Sequence, residues 1–134
     1  MPSLQFARVH RYNWHANGIE VPVTLIAGQR IVEISAKLDT GAAHCIFERR
    51  HAEMLRLEVD AGRAVRFRTA TGSFTAYEHE INLQSLGVEM LTQVYFAESP
   101  EFRGNYLGRT GWLDRVRLGI VDYEQTLYLS PYGD

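Results

Sequence analysis

The sequence predicts a mostly β domain, closed or folded over on itself. Three observations predict it. Apolar and polar residues alternate with period 2 in stretch after stretch from Ile19 onward. Short glycine-bearing segments (AGQR, ATGS, LG) separate those stretches at hairpin spacing. Only two segments are helix-like, and both are brief.

In chain order, residues 1–18 show no period and are read as an N-terminal arm or loop, and residues 19–134 as a single domain. Val21, Val23 and Leu25 alternate with Pro22, Thr24 and Ile26. After a turn at Ala27-Gly28-Gln29-Arg30, Val32, Ile34, Ala36 and Leu38 alternate with Glu33, Ser35 and Lys37. This hairpin has one apolar face and delivers the chain to Asp39. Phe47 to Arg56 reads as a short helix with Ala52 and Leu55 on one face. A longer hairpin follows: Val65, Phe67 and Thr69, then a turn at Ala70-Thr71-Gly72-Ser73, then Tyr77, His79, Ile81 and Leu83 on alternate positions. Leu86-Gly87 turns the chain into VEMLTQVYF. The loop ESPEFRGN precedes Tyr106-Leu107-Gly108, and Thr110 is placed to cap a helical turn through Trp112, Leu113 and Asp114. RLGIVDYEQTLYLS then reads as two strands about a turn at Tyr123-Glu124-Gln125.

Composition narrows the function classes. The 134 residues are 46% hydrophobic and 22% charged with net charge -2, which suits a globular protein of one domain and leaves no overall basic footprint for nucleic acid. Six arginines crowd the twenty residues from Arg49 to Arg68, a pattern read as a solvated face, with a substrate-attracting patch as the less favoured reading. The single cysteine, Cys45, excludes an internal disulfide framework and fits a reducing compartment. The opening MPSLQFARVHRYNW holds no apolar h-region and no run in the chain has the length of a membrane span, so a cytoplasmic location is expected.

The stretch KLDTGAAHCIF carries the chemistry. A lone Asp-Thr-Gly is a weak signal, since Asp-x-Gly commonly marks a turn. Here it directly follows a strand of buried type and is followed by apolar Ile46 and Phe47, so it lies inside the core pattern. Hydrolysis of a peptide bond by carboxylates needs one ionised group to take a proton from water and one neutral group to give a proton to the carbonyl oxygen. Two carboxylates a few ångströms apart share one proton, because like charges that close do not both ionise. A neighbouring hydroxyl can fix their approach, and a glycine lets a second backbone come near. Asp60, Asp114, Asp122 and Asp134 carry no such triplet. A dyad would therefore need two copies of the chain about a two-fold axis.

From about Ile19 to Leu129 the sequence resembles the retropepsin-like aspartic proteases, the half-size dimeric relatives of pepsin, and bacterial members in particular. AKLDTGAAHCIF resembles their strand–loop–strand around the catalytic Asp, and HAEMLRLEV their next helix. RFRTATGSFTAYEHEINL falls where they carry a flap hairpin, and YLGRTGWLDRVRLGIVDYEQTLYL resembles their apolar-apolar-Gly element, short helix and terminal strands. The resemblance implies a closed β-barrel of the acid-protease fold and aspartic endopeptidase activity. It also implies a homodimer acting on peptide or polypeptide, with no metal or organic cofactor. Asp39 would be the catalytic carboxylate, Thr40 the hydroxyl reaching across the dimer, and Gly41 and Ala42 would lie along the peptide. Thr71, Gly72 and Ser73 would form the flap tip, and Leu107, Gly108 and Arg109 would support the Asp39 loop. The chain departs from the retroviral pattern in having Ala43 where an Asp partners the later Arg, one flap glycine instead of several, and longer terminal strands.

Other candidates carry less. His44-Cys45 resembles a base beside a nucleophile, but adjacent extended residues point to opposite sides, and Cys45 reads as core. His10 and His15 have no third ligand at metal spacing. His51 reads as helix surface, His79 as a strand residue and Trp112 as core. A second functional reading keeps the fold without turnover, as a peptide-binding or assembly module, because fold alone does not fix function. A third takes Asp39 as a plain turn residue.

Overall fold

The computed structural model describes residues 1–13 and 18–132. Its first strand, β1 (Arg8–Arg11), lies within the segment expected to be irregular. Three of its four residues are basic or histidine, so no period-2 signal exists to read. The strand is made by its partner, β10 (Thr126–Pro131), more than a hundred residues away. Around it, Ala7 N–H donates to Ser130 Oγ (2.8 Å), and the Phe6 ring lies 5.8 Å from that of Tyr128. Buried Tyr12 donates its hydroxyl to Asp122 Oδ1 (2.6 Å); burial first, then Asp122, pushes the phenol up to about 12.

The central hairpin is as the alternation predicts. β2 (Glu20–Ala27) and β3 (Arg30–Leu38) pair from Glu20↔Lys37 to Ala27↔Arg30, with Gly28 in the turn at φ +59°. Val21, Val23, Leu25, Val32 and Ala36 are buried. Beyond the Asp39 loop comes β4 (Ile46–Phe47), then α1 (Arg49–Met54). The helix thus starts later than Phe47, because Ile46 and Phe47 pair in parallel with Tyr95 and Phe96, and Phe47 is wholly buried. It ends before Arg56, whose φ of +57° leaves the helical region. Ala52 and Leu55 are buried, and so is His51, which was expected at the surface. The reason is geometric: His51 and Leu55 are one helical turn apart, on the face that packs against the barrel.

β5 (Arg63–Thr69) and β6 (Gly72–Ser85) form the second hairpin around a two-residue tip, Ala70-Thr71; Gly72 and Ser73 already belong to β6. β7 (Val88–Ala97) pairs with β6 along its whole length. β8 (Tyr106–Leu107) inserts between β3 and β4, parallel to the first and antiparallel to the second. The order β2-β3-β8-β4-β7-β6-β5 closes on itself where Thr24, Leu25 and Ile26 of β2 pair with Gln84, Leu83 and Asn82 of β6. A 3-10 turn at Leu113–Arg115 follows β8, but Thr110 does not cap it; the side chain that turns back is Asp114, whose Oδ1 accepts from Gly111 N–H (3.0 Å). β9 (Val116–Val121) and β10 then form a hairpin, and with β1 a second sheet of order β1-β10-β9.

One apolar core fills the barrel, with Trp112, Phe47, Phe96, Leu25, Ile81, Leu83 and Leu107 among its fully buried side chains. A smaller cluster, Ile46, Ala76 and Tyr95 with Val65, Phe67, Phe74 and Phe102 packed on it, lies apart from that core. Of the six crowded arginines, Arg49, Arg50 and Arg63 are in ion pairs, Arg66 donates to Ser73 and Thr75 hydroxyls, and Arg68 lines the cleft described below.

Candidate active site

Asp39 stands one residue past the end of β3, and β8 holds it there. Leu38 pairs with Leu107, and Asp39 N–H donates to Leu107 O (3.0 Å). The chain then curls: Ala42 N–H returns to Asp39 O (3.1 Å) and Gly41 N–H donates to Asp39 Oδ1 (2.9 Å). Among the described residues no donor reaches Oδ2, so half of this half-exposed carboxylate remains available to a ligand.

A second loop locks the first. Arg109 N–H donates to Ala42 O (2.9 Å) and Thr110 N–H to Ala43 O (2.8 Å). Gly108 passes so close that a Cβ there would collide with the backbone oxygens of His44 and Ala42, which explains glycine at this position. Gly108 N–H also points at Cys45 Sγ (3.4 Å). Cys45 is fully buried, and burial pushes its thiol up to about 11, so it is an inert packing residue. Leu107 and Gly108 thus lie directly against the Asp39 loop. Arg109 keeps its side chain exposed and makes no ion pair among the described residues, as follows from alanine at 43.

Asp39 opens on a cleft of about 460 Å³. Gly41, Ala42, Ala43 and His44 form its near side, with Ile46 behind; Phe67, Arg68, Thr69 and Phe74 of the β5–β6 hairpin face them, and Phe102 and Tyr106 complete the wall. The aromatic rings are in contact: Phe67 stacks on Phe74 with centroids 5.4 Å apart, Phe74 lies 4.8 Å from Phe102, and Phe102 lies 6.4 Å from Tyr106. His44 sits edge-on to Tyr95 (4.9 Å), while the buried Cys45 Sγ has Gly108 N–H and Thr110 O as its hydrogen-bond partners. Behind it, Tyr95 donates its hydroxyl to Glu78 Oε2 (2.8 Å), and Glu78 also pairs with Arg63; Arg63 first, then Tyr95, holds the carboxyl below its usual range.

Thr40 is exposed beside the cleft and does not line it. Thr71, Gly72 and Ser73 are also exposed and outside the lining; the tight tip turns Ser73 outward, where its hydroxyl accepts from Arg66 Nε (3.1 Å). The hairpin reaches the cleft through Phe67 and Phe74 instead. His44, Ile46, Phe67, Phe74, Phe102 and Tyr106 were not singled out as lining residues from sequence. The one usable signal was Phe102, a lone aromatic in an otherwise polar loop. His10 lies in β1 and His15 lies outside the described residues. Among the described residues no group of three or more His, Cys, Asp or Glu could hold a metal ion, and no helix is long and apolar enough to cross a membrane.

A closed barrel with an Asp-Thr-Gly loop seated on an apolar-apolar-Gly strand defines the retropepsin-like class of aspartic protease fold. A family model described as aspartyl protease matches residues 21–111, well over half of the chain, and the chain belongs to that family. No curated protein matches the sequence. Among solved structures, a retropepsin-like aspartic protease from Rickettsia conorii is 17% identical with a TM-score of 0.65, over 91% of this chain and 96% of that one. The EIAV protease, solved with the inhibitor HBY-793, is 19% identical with a TM-score of 0.54, over 73% of this chain and 86% of that one. Both share the fold.

Proposed function

We propose that this chain is an aspartic endopeptidase that acts as a homodimer, with Asp39 of each copy supplying half of one catalytic dyad. The observation that carries the reading is the cleft itself: Asp39 is the only carboxylate among its lining residues, and one of its oxygens has no donor among the described residues. Proton exchange between water, substrate carbonyl and leaving amine needs a second carboxyl within a few ångströms, and a two-fold axis beside the exposed Thr40 and Gly41 supplies it. The pair then titrates as a unit, with one proton shared. One carboxylate takes a proton from the attacking water, and the other gives its proton to the carbonyl oxygen. The tetrahedral adduct collapses as the amine is protonated, with no covalent intermediate.

Thr40 would bridge the two loops, and Gly41 and Ala42 would offer backbone to an extended peptide, which adds as a strand under the β5–β6 hairpin. Thr71, Gly72 and Ser73 would act through backbone and hairpin motion, while Leu107, Gly108 and Arg109 hold the loop in place. The aromatic walls supply apolar pockets for side chains flanking the scissile bond. The proposal is tested by measuring rate against protein concentration. Specific activity should fall steeply as dilution dissociates the dimer; an active monomer contradicts the dyad.

A further inference from the structure

Phe102 is the cleft wall facing the hairpin, yet it sits on a loop between β7 and β8 that has no secondary structure beyond bends and turns. At its start the loop is tied down by Glu98 N–H to Thr75 O (2.9 Å), and within it Phe102 N–H donates to Ser99 O (3.2 Å); at its end the tie runs through Glu48. This residue is only 6% exposed, although it is a carboxylate directly after β4. Its Oε2 accepts from Gly104 N–H (2.9 Å), while its own backbone N–H donates to Asn105 Oδ1 (3.0 Å), a reciprocal clamp on the last turn of the loop. Asn105 O in turn accepts from Lys37 N–H (2.8 Å), on β3, the strand that leads into Asp39. Gly104 adopts φ +116° and lies against the Tyr106 ring, so a side chain there would block the approach. The loop is therefore referenced to the strands that enter and leave the Asp39 loop. Phe102, two residues before Gly104, is set against Phe74 with ring centroids 4.8 Å apart.

We infer that Glu48 is a positioning residue. By holding Gly104 it fixes Phe102, and so determines how large an apolar side chain fits between Phe102 and the hairpin. This rests on the protease reading for its kinetic consequence but not for the clamp. The two carboxylate oxygens of Glu48 have separate partners: Oε1 pairs with the Arg50 side chain (2.7 Å), itself mostly exposed, and Oε2 is left for the Gly104 N–H, a bond to a charged acceptor and so one of the stronger kinds.

The test compares peptides differing only in one residue beside the cut, from alanine to phenylalanine. In Glu48→Ala, KM for the phenylalanine peptide should rise about tenfold with kcat within about twofold, the pattern of lost positioning without lost chemistry. Glu48→Gln, which keeps an acceptor for Gly104, should restore most of the preference. Phe102→Ala should reproduce the effect, and adding Glu48→Ala to it should change little. Unchanged selectivity in a folded Glu48→Ala, or additive effects in the double variant, overturns the inference. NMR contacts between the Phe102 and Phe74 rings judge the clamp independently: they should persist in wild type and Glu48→Gln and vanish in Glu48→Ala. If the wild type cuts no peptide the protease reading fails, while persistence of those contacts in Glu48→Ala overturns the clamp by itself. Should Glu48→Ala not fold, Asn105→Ala breaks the other half, and an unmoved Phe102 there overturns it equally.

Discussion

Gly108 and His51 show how single residues serve the site and the fold in ways that composition does not reveal. A methyl group at 108 would strike the backbone of both His44 and Ala42, and backbone cannot yield as a flexible side chain can. Gly108→Ala should therefore cost about 1–3 kcal/mol or more by overpacking, read as a lower denaturation midpoint. It should also displace the Asp39 loop. His51 is 6% exposed, and neither ring nitrogen has a partner among the described residues. Burial lowers its pKa, with Arg50 adding to the shift and Glu48 opposing it. The unfolded chain then binds more protons below about pH 6.5, so stability should fall as pH drops from there. Glu48 adds a second, more acid loss. Its folded value is lowered: burial raises it, but the Gly104 N–H, Arg50 and His51 together outweigh burial. The stability it contributes is present above about pH 4.3 and is lost as pH falls through the folded value. Thermal melts of His51→Leu against wild type should show the fall below about pH 6.5 flattened in the variant; identical slopes would count against the assignment. Asp39 was legible because its triplet interrupts a core pattern. His51 was not, because burial of a polar residue depends on what the helix packs against.

At the scale of elements, the long hairpins were legible and the short strands were not. β2–β3 and β6–β7 carry their own period-2 code, so local sequence suffices. β4 and β8 are two residues each and exist only because they pair with one another and with β7 and β3. β1 likewise depends on β10, at the other end of the sequence. β10 is consequently central to its sheet, flanked on both sides, with Leu127 and Leu129 essentially inaccessible. Leu127→Ala should destabilise the fold by about 2–5 kcal/mol, seen in urea unfolding. The same substitution at exposed Val9 of β1 should have little effect. On the β5–β6 hairpin, Phe74 joins Phe67 to Phe102, so Phe74→Ala should raise KM for peptides with bulky apolar residues more than it lowers kcat. The turn read at Ala70–Ser73 contains the two-residue tip Ala70-Thr71 but runs two residues into β6, because a two-residue turn and a four-residue turn share the same glycine signal.

The sequence has one Asp-Thr-Gly triplet, and Asp39 is the one carboxylate among the residues lining its cleft, so the proposed function turns on a second copy of the chain. Mixed dimers give a direct expectation. Folded Asp39→Asn chains added in excess to wild type should suppress its activity, because a dimer with one carboxylate has lost the partner that shares the proton. Without suppression, the two copies do not share a site. The barrel and the Asp39 loop were readable from four ordered sequence features, whereas the aromatic walls came from side chains on separate strands and a loop that only the closed barrel brings together. The most direct measurement is cleavage of a proteome-derived peptide library by wild type and Asp39→Asn side by side, from acid to neutral pH, read by mass spectrometry. The account predicts cuts by the wild type, flanked by large apolar residues, that disappear in the variant. Cuts that persist in folded Asp39→Asn, or none from a folded dimeric wild type at any pH, would contradict it.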